Sequence, residues 1–339
     1  IGGVEQSRRD SAELFDQIDD YLLPRLQSID APLLAVIGGS TGSGKSTITN
    51  TIIGSVVSPA GVLRPTTRAP VLVCHPDDQP WFVEGGVLPE LPRVTGAAPA
   101  SGHELHVVTA DTLPPGLAIL DSPDIDSVET ANHELAAQLL GAADLWLFVT
   151  TAARYADAVP WEYLGRARER ATALALVINR IPPGAEAEVQ THLADMLKQQ
   201  GLGDAHLFAI TEGALDDGRL VAGTEPIHQW LVGLVADTET RNALVRSTLD
   251  GALASIPERV FRVADAVEAQ VASAESLSAL AVHRYDEAGK EIDRVLGSGD
   301  LLRGEVLDSW QEHVGTGEFM QKLQRGIGRI RDRVRSIFT

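Results

Sequence analysis

A glycine-rich segment that ends in lysine and serine is the part of the sequence best suited to chemistry. Residues 39–46 are Gly-Ser-Thr-Gly-Ser-Gly-Lys-Ser, which fits the pattern G-x-x-x-x-G-K-[ST]. Small residues let backbone N–H groups surround an anion, and the N-terminus of a following helix adds partial positive charge. Lysine at this place reaches the β- and γ-phosphates, and the serine hydroxyl ligates Mg²⁺. We call residues 39–46 the P-loop and predict that phosphates are bound by Gly39, Ser40, Thr41, Gly42, Ser43, Gly44, Lys45, Ser46 and Thr47.

Two further segments fit a metal-dependent phosphate site. Residues 117–121 are Leu-Ala-Ile-Leu-Asp, an apolar strand that ends in a carboxylate. This pattern places Asp121 where it can hold the Mg²⁺ shell opposite Ser46. Residues 64–70, Arg-Pro-Thr-Thr-Arg-Ala-Pro, precede another apolar run, and a threonine there could close over a nucleotide and complete the metal shell.

Short apolar runs alternate with helical stretches over most of the chain. This alternation predicts a doubly wound α/β domain, and runs without polar alternation indicate strands buried on both faces of a mostly parallel sheet. Residues 76–104, rich in proline and glycine, are expected to form a surface excursion. The predicted strands are 33–37, 71–74, 105–108, 117–120, 145–149, 174–178 and 207–210, and the predicted helices 45–57, 130–141, 160–171, 186–200 and 226–236.

Helical periodicity governs both ends of the chain. Apolar residues three and four apart mark an amphipathic helix over 11–29 and a longer stripe from Leu244 to Leu277, in which Pro257 should kink or split the helix. Two more helical stretches, 300–314 and 318–338, follow. We therefore predict three parts: residues 1–31, an N-terminal helix that packs with the helical domain; 32–237, the P-loop domain; and 238–339, an α-helical bundle domain.

Charge and composition limit the partners of this protein. The 339 residues include 28 Lys and Arg against 47 Asp and Glu, a net charge of -19. Because phosphate contacts dominate nucleic-acid affinity, we expect no nucleic-acid partner, and an anionic ligand must be held locally. One cysteine, Cys74, excludes an internal disulfide, and no apolar run reaches the ~18–20 residues of a spanning helix. We expect a cytoplasmic protein.

The order of these motifs resembles the dynamin-like branch of large GTPases, including the bacterial dynamin-like proteins. This resemblance implies GTP and GDP as ligands, Mg²⁺ as cofactor and self-association through the GTPase (G) domains. It implies catalytic roles for Lys45, Thr67 and Asp121, with Thr67 as a metal ligand beside Ser46 and Asp121, and Thr66 as its nearest competitor. By the same resemblance, residues 121–124 form switch II. Base recognition falls to Asn179 and Arg180 in the segment Asn-Arg-Ile-Pro, and to the loop 211–213.

Three positions depart from the pattern of that family. Asp124 stands where the family has glycine, which brings a carboxylate towards the γ-phosphate. Gly42 stands where dynamins have a serine that orients water. The segment 179–182 lacks the terminal aspartate that accepts hydrogen bonds from guanine. These departures predict slow hydrolysis and a shallow preference for guanine, in a protein that couples nucleotide state to movement of its helical domain.

Several alternatives stay open at this stage. The motif losses also suit a nucleotide-binding switch or scaffold with little turnover. An ABC-type ATPase is disfavoured because an L-S-G-G-Q-like signature is lacking. A P-loop kinase needs a lid with clustered arginines, and the one cluster in the α/β domain, at 166, 168 and 170, suits a solvated helix face better. Residues 322–338 carry six basic residues and one acidic residue, which fits either a bundle helix or a helix at a membrane surface, hence a peripheral membrane location.

Overall fold

An eight-stranded sheet forms the centre of the computed structural model, which describes residues 3–59, 69–84, 87–96, 104–126, 130–170 and 172–298. The strands lie in the order β3-β4-β2-β5-β1-β6-β7-β8, and every neighbouring pair is parallel except β2 with β5. Their bounds are β1 Leu33–Gly39, β2 Val71–Cys74, β3 Arg93–Thr95, β4 Leu105–Thr109, β5 Leu117–Asp121, β6 Leu145–Thr151, β7 Ala173–Ile181 and β8 His206–Thr211.

All seven predicted strands are present, and three short ones were not predicted. β3 lies inside the segment expected to be a surface excursion. A small hairpin pairs β9 (Leu215–Asp216) with β10 (Arg219–Leu220). Strands of two or three residues are too short to establish an alternation of apolar and polar side chains, so the sequence pattern did not reveal them.

Helices cover both faces of the sheet. The connections between the strands contain α3 (Lys45–Ile53), α4 (Gln79–Val83), α5 (Thr130–Gly141), α6 (Ala158–Glu169) and α7 (Glu186–Gln199), and α8 (Glu225–Val235) follows the last strand. Before them stand α1 (Val4–Gln17), a π-helical turn (Ile18–Leu22) and α2 (Leu23–Gln27), and after them α9 (Thr238–Ser298). α3 ends earlier than predicted because Gly54, with φ +79°, adopts the left-handed conformation that ends a helix.

The central strand β1 shows why the sheet is doubly wound. Its residues alternate between two fully buried clusters: Leu34 and Val36 belong to one, and Leu33, Ala35 and Ile37 to the other. Residues of α5, α6 and α7 fill the first cluster, and residues of α3 and α8 fill the second. Burial of both faces explains the continuous apolar run that predicted this strand.

The N-terminal helical segment packs against α9 and also against the sheet. Tyr21 and Leu22 form a small core with Leu249 and Ala252 of α9. The buried guanidinium of Arg25 pairs with the carboxylate of Asp144, and it also donates to the carbonyl oxygens of residues 31 and 32 at 3.1 and 2.7 Å. Asp144 in turn accepts the N–H of residue 34 at 2.7 Å, which ties the segment to β1.

α9 continues through Pro257 without a break, so of the two expected outcomes, a kink or a split, the split did not occur. Proline removes one N–H and disturbs the carbonyl of residue 253. Pro257 and Leu253 are both exposed, so water can satisfy that carbonyl, while burial of Val245 and Leu249 anchors the preceding turns.

Two compact units part within α9, between Val267 and Glu268. Over 268–298 the residues are almost all exposed, and ion pairs between neighbouring turns, such as Arg284 with Glu287 at 3.0 Å, line the helix. The predicted helices 300–314 and 318–338 lie outside the described residues. Within the described part of the chain, no helix is long and apolar enough to cross a membrane.

Candidate nucleotide-binding site

The P-loop lies at the carboxyl edge of the sheet, directly after β1. β1 has β5 on one side and β6 on the other, so successive connections leave this strand in opposite directions. Open α/β sheets bind ligands at such a switch point. α3 begins at Lys45, which brings the N-terminus of a helix, with its partial positive charge, to the end of the loop.

Two glycines let the loop approach its neighbours closely. Gly39 has φ +150°, and a Cβ there would collide with the carbonyl oxygen of Val149 in β6. Gly44 has φ +98°, and a Cβ there would collide with the side-chain amide of Asn179 in β7. The sequence requirement for glycine at both positions therefore has two causes, a left-handed backbone and a lack of space.

Asn179 anchors the P-loop to β7. Its Nδ2 donates to the carbonyl oxygen of Ser43 at 2.8 Å, and its Oδ1 accepts the N–H of Arg180 at 2.8 Å. Asn179 is buried, whereas Arg180 is exposed and has φ +56°. Both polar ends of Asn179 are engaged by the chain itself, so its predicted contact with a base, like that of Arg180, stays a prediction.

Lys45 is buried at the centre of the loop. Its Nζ donates to the carbonyl oxygens of Gly39 at 2.9 Å and Ser40 at 3.3 Å. The third partner is the carboxylate of Asp124, with which Lys45 forms an ion pair. Asp124, which stands where the dynamin-like pattern has glycine, is therefore turned towards Lys45.

A second carboxylate contacts the loop at Thr41, four residues before Lys45. Oδ1 of Asp126 accepts the N–H of Thr41 at 2.5 Å and its hydroxyl at 2.7 Å, and Oδ2 accepts from Arg154 at 3.0 Å. Burial raises the pKa of Asp126, but the two hydrogen bonds from Thr41 and the adjacent Arg154 outweigh it, so that the pKa lies below its usual value. Asp126 and Arg154 were not predicted as site residues, because neither belongs to a motif.

Asp121 ends β5 as a fully buried carboxylate. Its Oδ2 accepts the hydroxyl of Ser58 at 2.5 Å, and the Ser46 hydroxyl is also hydrogen-bonded to this side chain. Burial raises the pKa of Asp121, and the hydrogen bonds from Ser46 and Ser58 and the charge of Lys45 oppose that rise. Asp121 therefore lies beside Ser46.

Ser58 is a buried partner of Asp121 that the sequence did not reveal. It follows α3 in a loop, where Oδ1 of Asn50 accepts the N–H groups of Val57 and Ser58, both at 2.9 Å. Nδ2 of Asn50 donates to the carbonyl oxygen of Ser58 at 2.8 Å. Serine after a helix is common in loops, so this position gave no signal.

The oxygens around Asp121 fit a magnesium ion. Oδ1 of Asp121 is buried and, within the described ranges, has no hydrogen-bond partner, while the Ser46 hydroxyl lies beside the same carboxylate. A carboxylate and a hydroxyl are hard oxygen ligands of the kind Mg²⁺ takes together with phosphate oxygens. The third predicted ligand, Thr67, lies outside the described residues, as do residues 60–68 around it.

The arginine cluster of α6 does not form a solvated face as expected. Arg166 and Arg170 pair with Glu13 of α1 at 3.1 and 3.4 Å, and Arg168 donates to the carbonyl oxygen of residue 200 at 2.7 Å. Arg166 and Arg170 also line a cavity of about 520 Å³ between α1, α5 and α6, to which no P-loop residue contributes. Two of these arginines therefore form ion pairs between helices and do not face solvent as a cluster.

Together, the strand order, the P-loop after β1 and the buried aspartate after β5 define a P-loop GTPase fold, as predicted. No protein-family model and no curated protein matches the chain. Solved structures do match, among them an oligomerised bacterial dynamin pair described as sensing and tethering membranes. That match has 14% identity and a TM-score of 0.46, over 91% of this chain and 53% of the other.

Two further structures extend the comparison. Era in complex with MgGDPNP and a segment of 16S ribosomal RNA has 20% identity and a TM-score of 0.36, over 53% of this chain and 51% of that one. A structure of the chloroplast translocon GTPases atToc33 and psToc159 has 15% identity and a TM-score of 0.34, over 69% of this chain and 91% of that one. The chain spans about half the length of the Era and dynamin chains. At such identities the likeness concerns the fold.

Proposed function

We propose that this protein is a Mg²⁺-dependent guanine-nucleotide-binding protein of the dynamin-like type that hydrolyses GTP slowly. The observation that carries this proposal is the buried Lys45 at the N-terminus of α3, with the oxygens of Ser46 and Asp121 beside it. A phosphate chain needs these groups together: a cation, inward N–H groups and a metal shell.

Each residue of the site has a distinct task in this proposal. Lys45 neutralises charge on the β- and γ-phosphates, and the N–H groups at the start of α3 hold the phosphate oxygens. Ser46, Asp121 and Thr67 would hold Mg²⁺. The bound ion would neutralise charge that develops on the phosphates during hydrolysis. Gly42 supplies no side chain to orient an attacking water, so turnover is slow.

The guanine preference is shallow in this proposal. A site rejects a wrong ligand strongly only when that ligand leaves buried hydrogen-bonding groups unpaired. The segment 179–182 has no carboxylate for the guanine ring, and the amide of Asn179 already binds Ser43. Selectivity over adenine then depends on weaker contacts, such as those of Arg180 and the loop 211–213.

The larger arrangement is part of the same proposal. The helical parts 1–31 and 238–339 form one domain that moves relative to the G domain, 32–237, as the nucleotide changes. The two connections lie close together: Asn242 donates to the carboxylate of Asp30 at 3.1 Å. Self-association through the G domains stimulates turnover, and the basic segment 322–338 gives the protein a peripheral contact with a membrane.

A second candidate function is a nucleotide-binding switch with little turnover. The ion pair of Lys45 with Asp124 favours it, because Asp124 competes with the γ-phosphate for the lysine. Measured turnover distinguishes the two candidates: product release by the parent that Lys45→Ala abolishes supports the GTPase, and tight binding without product supports the switch.

Calorimetric titration with GTP, GDP, ATP and ADP, with and without Mg²⁺, tests the proposed function. We expect guanine nucleotides to bind more tightly than adenine nucleotides, and Mg²⁺ to strengthen triphosphate binding. Lys45→Ala should abolish binding, whereas Lys198→Ala, which changes an exposed lysine on α7, should leave it unchanged. Unaltered affinity in Lys45→Ala would refute the site, and equal affinity for GTP and ATP would refute only the guanine preference.

A further inference from the structure

Two carboxylates of the segment after β5 bind groups of the P-loop that are suited to binding an anion. Asp124 pairs with the ammonium group of Lys45, and Asp126 accepts both the N–H and the hydroxyl of Thr41. In a P-loop, the lysine and the backbone N–H groups are the groups that bind phosphate oxygens. The chain therefore supplies its own anion to this site.

Backbone contacts hold this segment in place. The N–H of Ile125, which lies between the two carboxylates, donates to the carbonyl oxygen of Gly39 at 3.4 Å. Arg154 binds Asp126 and also donates to the carbonyl oxygen of Thr41 at 3.3 Å. The side chains of Asp124 and Asp126 are only 16% and 15% exposed, so water screens their charges weakly.

The carboxylates contact the lysine and the part of the loop that precedes it. The first N–H groups of α3 have no partner within the helix and are suited to the phosphates nearest the nucleoside. Thr41 is at the other end of the loop, four residues before Lys45, and Lys45 is the group that reaches the γ-phosphate. A terminal phosphate would therefore approach Asp124 and Asp126, whereas a diphosphate would approach the start of α3.

We propose that Asp124 and Asp126 act as an internal substitute for the γ-phosphate, which makes the site bind a guanosine diphosphate more tightly than a triphosphate. This inference rests on the proposed function of the site as a guanine-nucleotide site. A diphosphate leaves both carboxylates in contact with Lys45 and Thr41. A triphosphate must displace them or bind beside two like charges in a poorly screened place, which weakens its binding.

The test compares the affinities for GDP and for a non-hydrolysable GTP analogue, each with Mg²⁺, by calorimetry. Asp124→Asn removes the charge and keeps the shape of the side chain, and Asp126→Asn does the same at the other contact. Asp157→Asn is the matched control, because Asp157 also pairs with Arg154 at 3.0 Å but is half exposed. Thermal unfolding shows whether each variant is folded.

We expect the parent and Asp157→Asn to favour GDP. Asp124→Asn should shift the ratio of the two affinities towards the triphosphate by at least about tenfold, and Asp126→Asn should shift it in the same direction. A ratio that is unchanged in both variants, or a parent that binds the triphosphate as tightly as GDP, would overturn this inference while the proposed function stands. Absence of binding to any guanine nucleotide would overturn both.

Discussion

Asn179 and Asp121 reach the P-loop region from different strands, and both are already satisfied by the chain itself. Asn179 holds the carbonyl of Ser43, and Asp121 accepts the hydroxyl of Ser58. Such contacts fix the shape of the loop before a ligand arrives, which lowers the cost of ordering it on binding. The roles of single residues are therefore separable into those that touch phosphate and those that position the loop.

Asn179→Ala tests the positioning role of this side chain. Loss of the hydrogen bond to Ser43 loosens the loop for every nucleotide. We therefore expect the affinities for GTP and ATP to fall by the same factor, about tenfold. Such a factor corresponds to one hydrogen bond between uncharged groups, of about 1 kcal/mol or slightly more. Calorimetry with both triphosphates measures the two factors. A loss confined to GTP would instead identify Asn179 as a reader of the base.

Helices and strands with long, regular patterns were predictable, and contacts between distant parts of the chain were not. The bounds of α5 and of β2 match the sequence patterns because burial imposes a period within a few residues. The P-loop and Asp121 were predictable because their motifs are local. Ser58, Asp126 and Arg154 were not, because their partners lie far along the chain and pairing of this kind leaves no pattern within a short segment.

The π-helical turn after α1 contains a carboxylate whose titration should alter stability. Burial raises the pKa of Asp20 from 3.8 to about 6, and the hydrogen bond from Gln138, 2.8 Å long, opposes this only in part. Because the pKa is higher in the folded protein, the stability that the protonated form contributes is present below about pH 4 and is lost as the pH rises through 6.

Asp20→Asn removes this dependence. Between pH 4 and pH 7 the free energy of unfolding of the variant should rise relative to the parent by up to about 3 kcal/mol, at 1.36 kcal/mol per pH unit. Urea unfolding at several pH values measures the difference. Asp19→Asn, at the exposed neighbouring position, is the control. A difference that stays constant with pH would contradict the assignment.

The ion pair of Arg25 with Asp144 joins α2 to the sheet and should be sensitive to loss of one partner. Arg25→Met leaves a buried carboxylate that has lost its charged partner and keeps the N–H of residue 34 as a donor. We expect a loss of about 3–5 kcal/mol in the free energy of unfolding, measured in urea. The matched change Arg8→Met, at an exposed residue of α1, should cost little. Equal effects of the two changes would show that the pair is not needed.

The whole molecule combines a net charge of -19 with a site that we propose binds a nucleotide, which is a polyanion. At the P-loop, local groups offset the repulsion between this net charge and an anion. Lys45, the loop N–H groups and the start of α3 all lie within one short segment. Association of two such acidic chains brings like net charges together. Their mutual repulsion acts over the Debye length and weakens as salt is added.

Self-association should therefore appear in turnover, and salt should modulate it. We expect GTP hydrolysis per molecule to increase with protein concentration, and to do so at lower concentration in about 0.15 M salt than in about 0.01 M salt, where the Debye length is roughly 30 Å. Phosphate release across a concentration series measures this, after subtraction of the rate of Lys45→Ala. Constant turnover per molecule at both salt concentrations would refute stimulation by self-association.

The hydrogen bond between Asn179 and Ser43 has a consequence for how the protein is made. Its partners are 136 positions apart, and Gly39 packs against β6, so the P-loop has its described shape only once β6 and β7 have joined the sheet. A nascent chain carries the whole phosphate motif by residue 46 but lacks its supports until residue 179 has been synthesised and has folded. Nucleotide thus cannot assist folding of the first half of the chain. It selects molecules in which β1, β6 and β7 are already assembled, and binding during translation would report that β7 has joined the sheet.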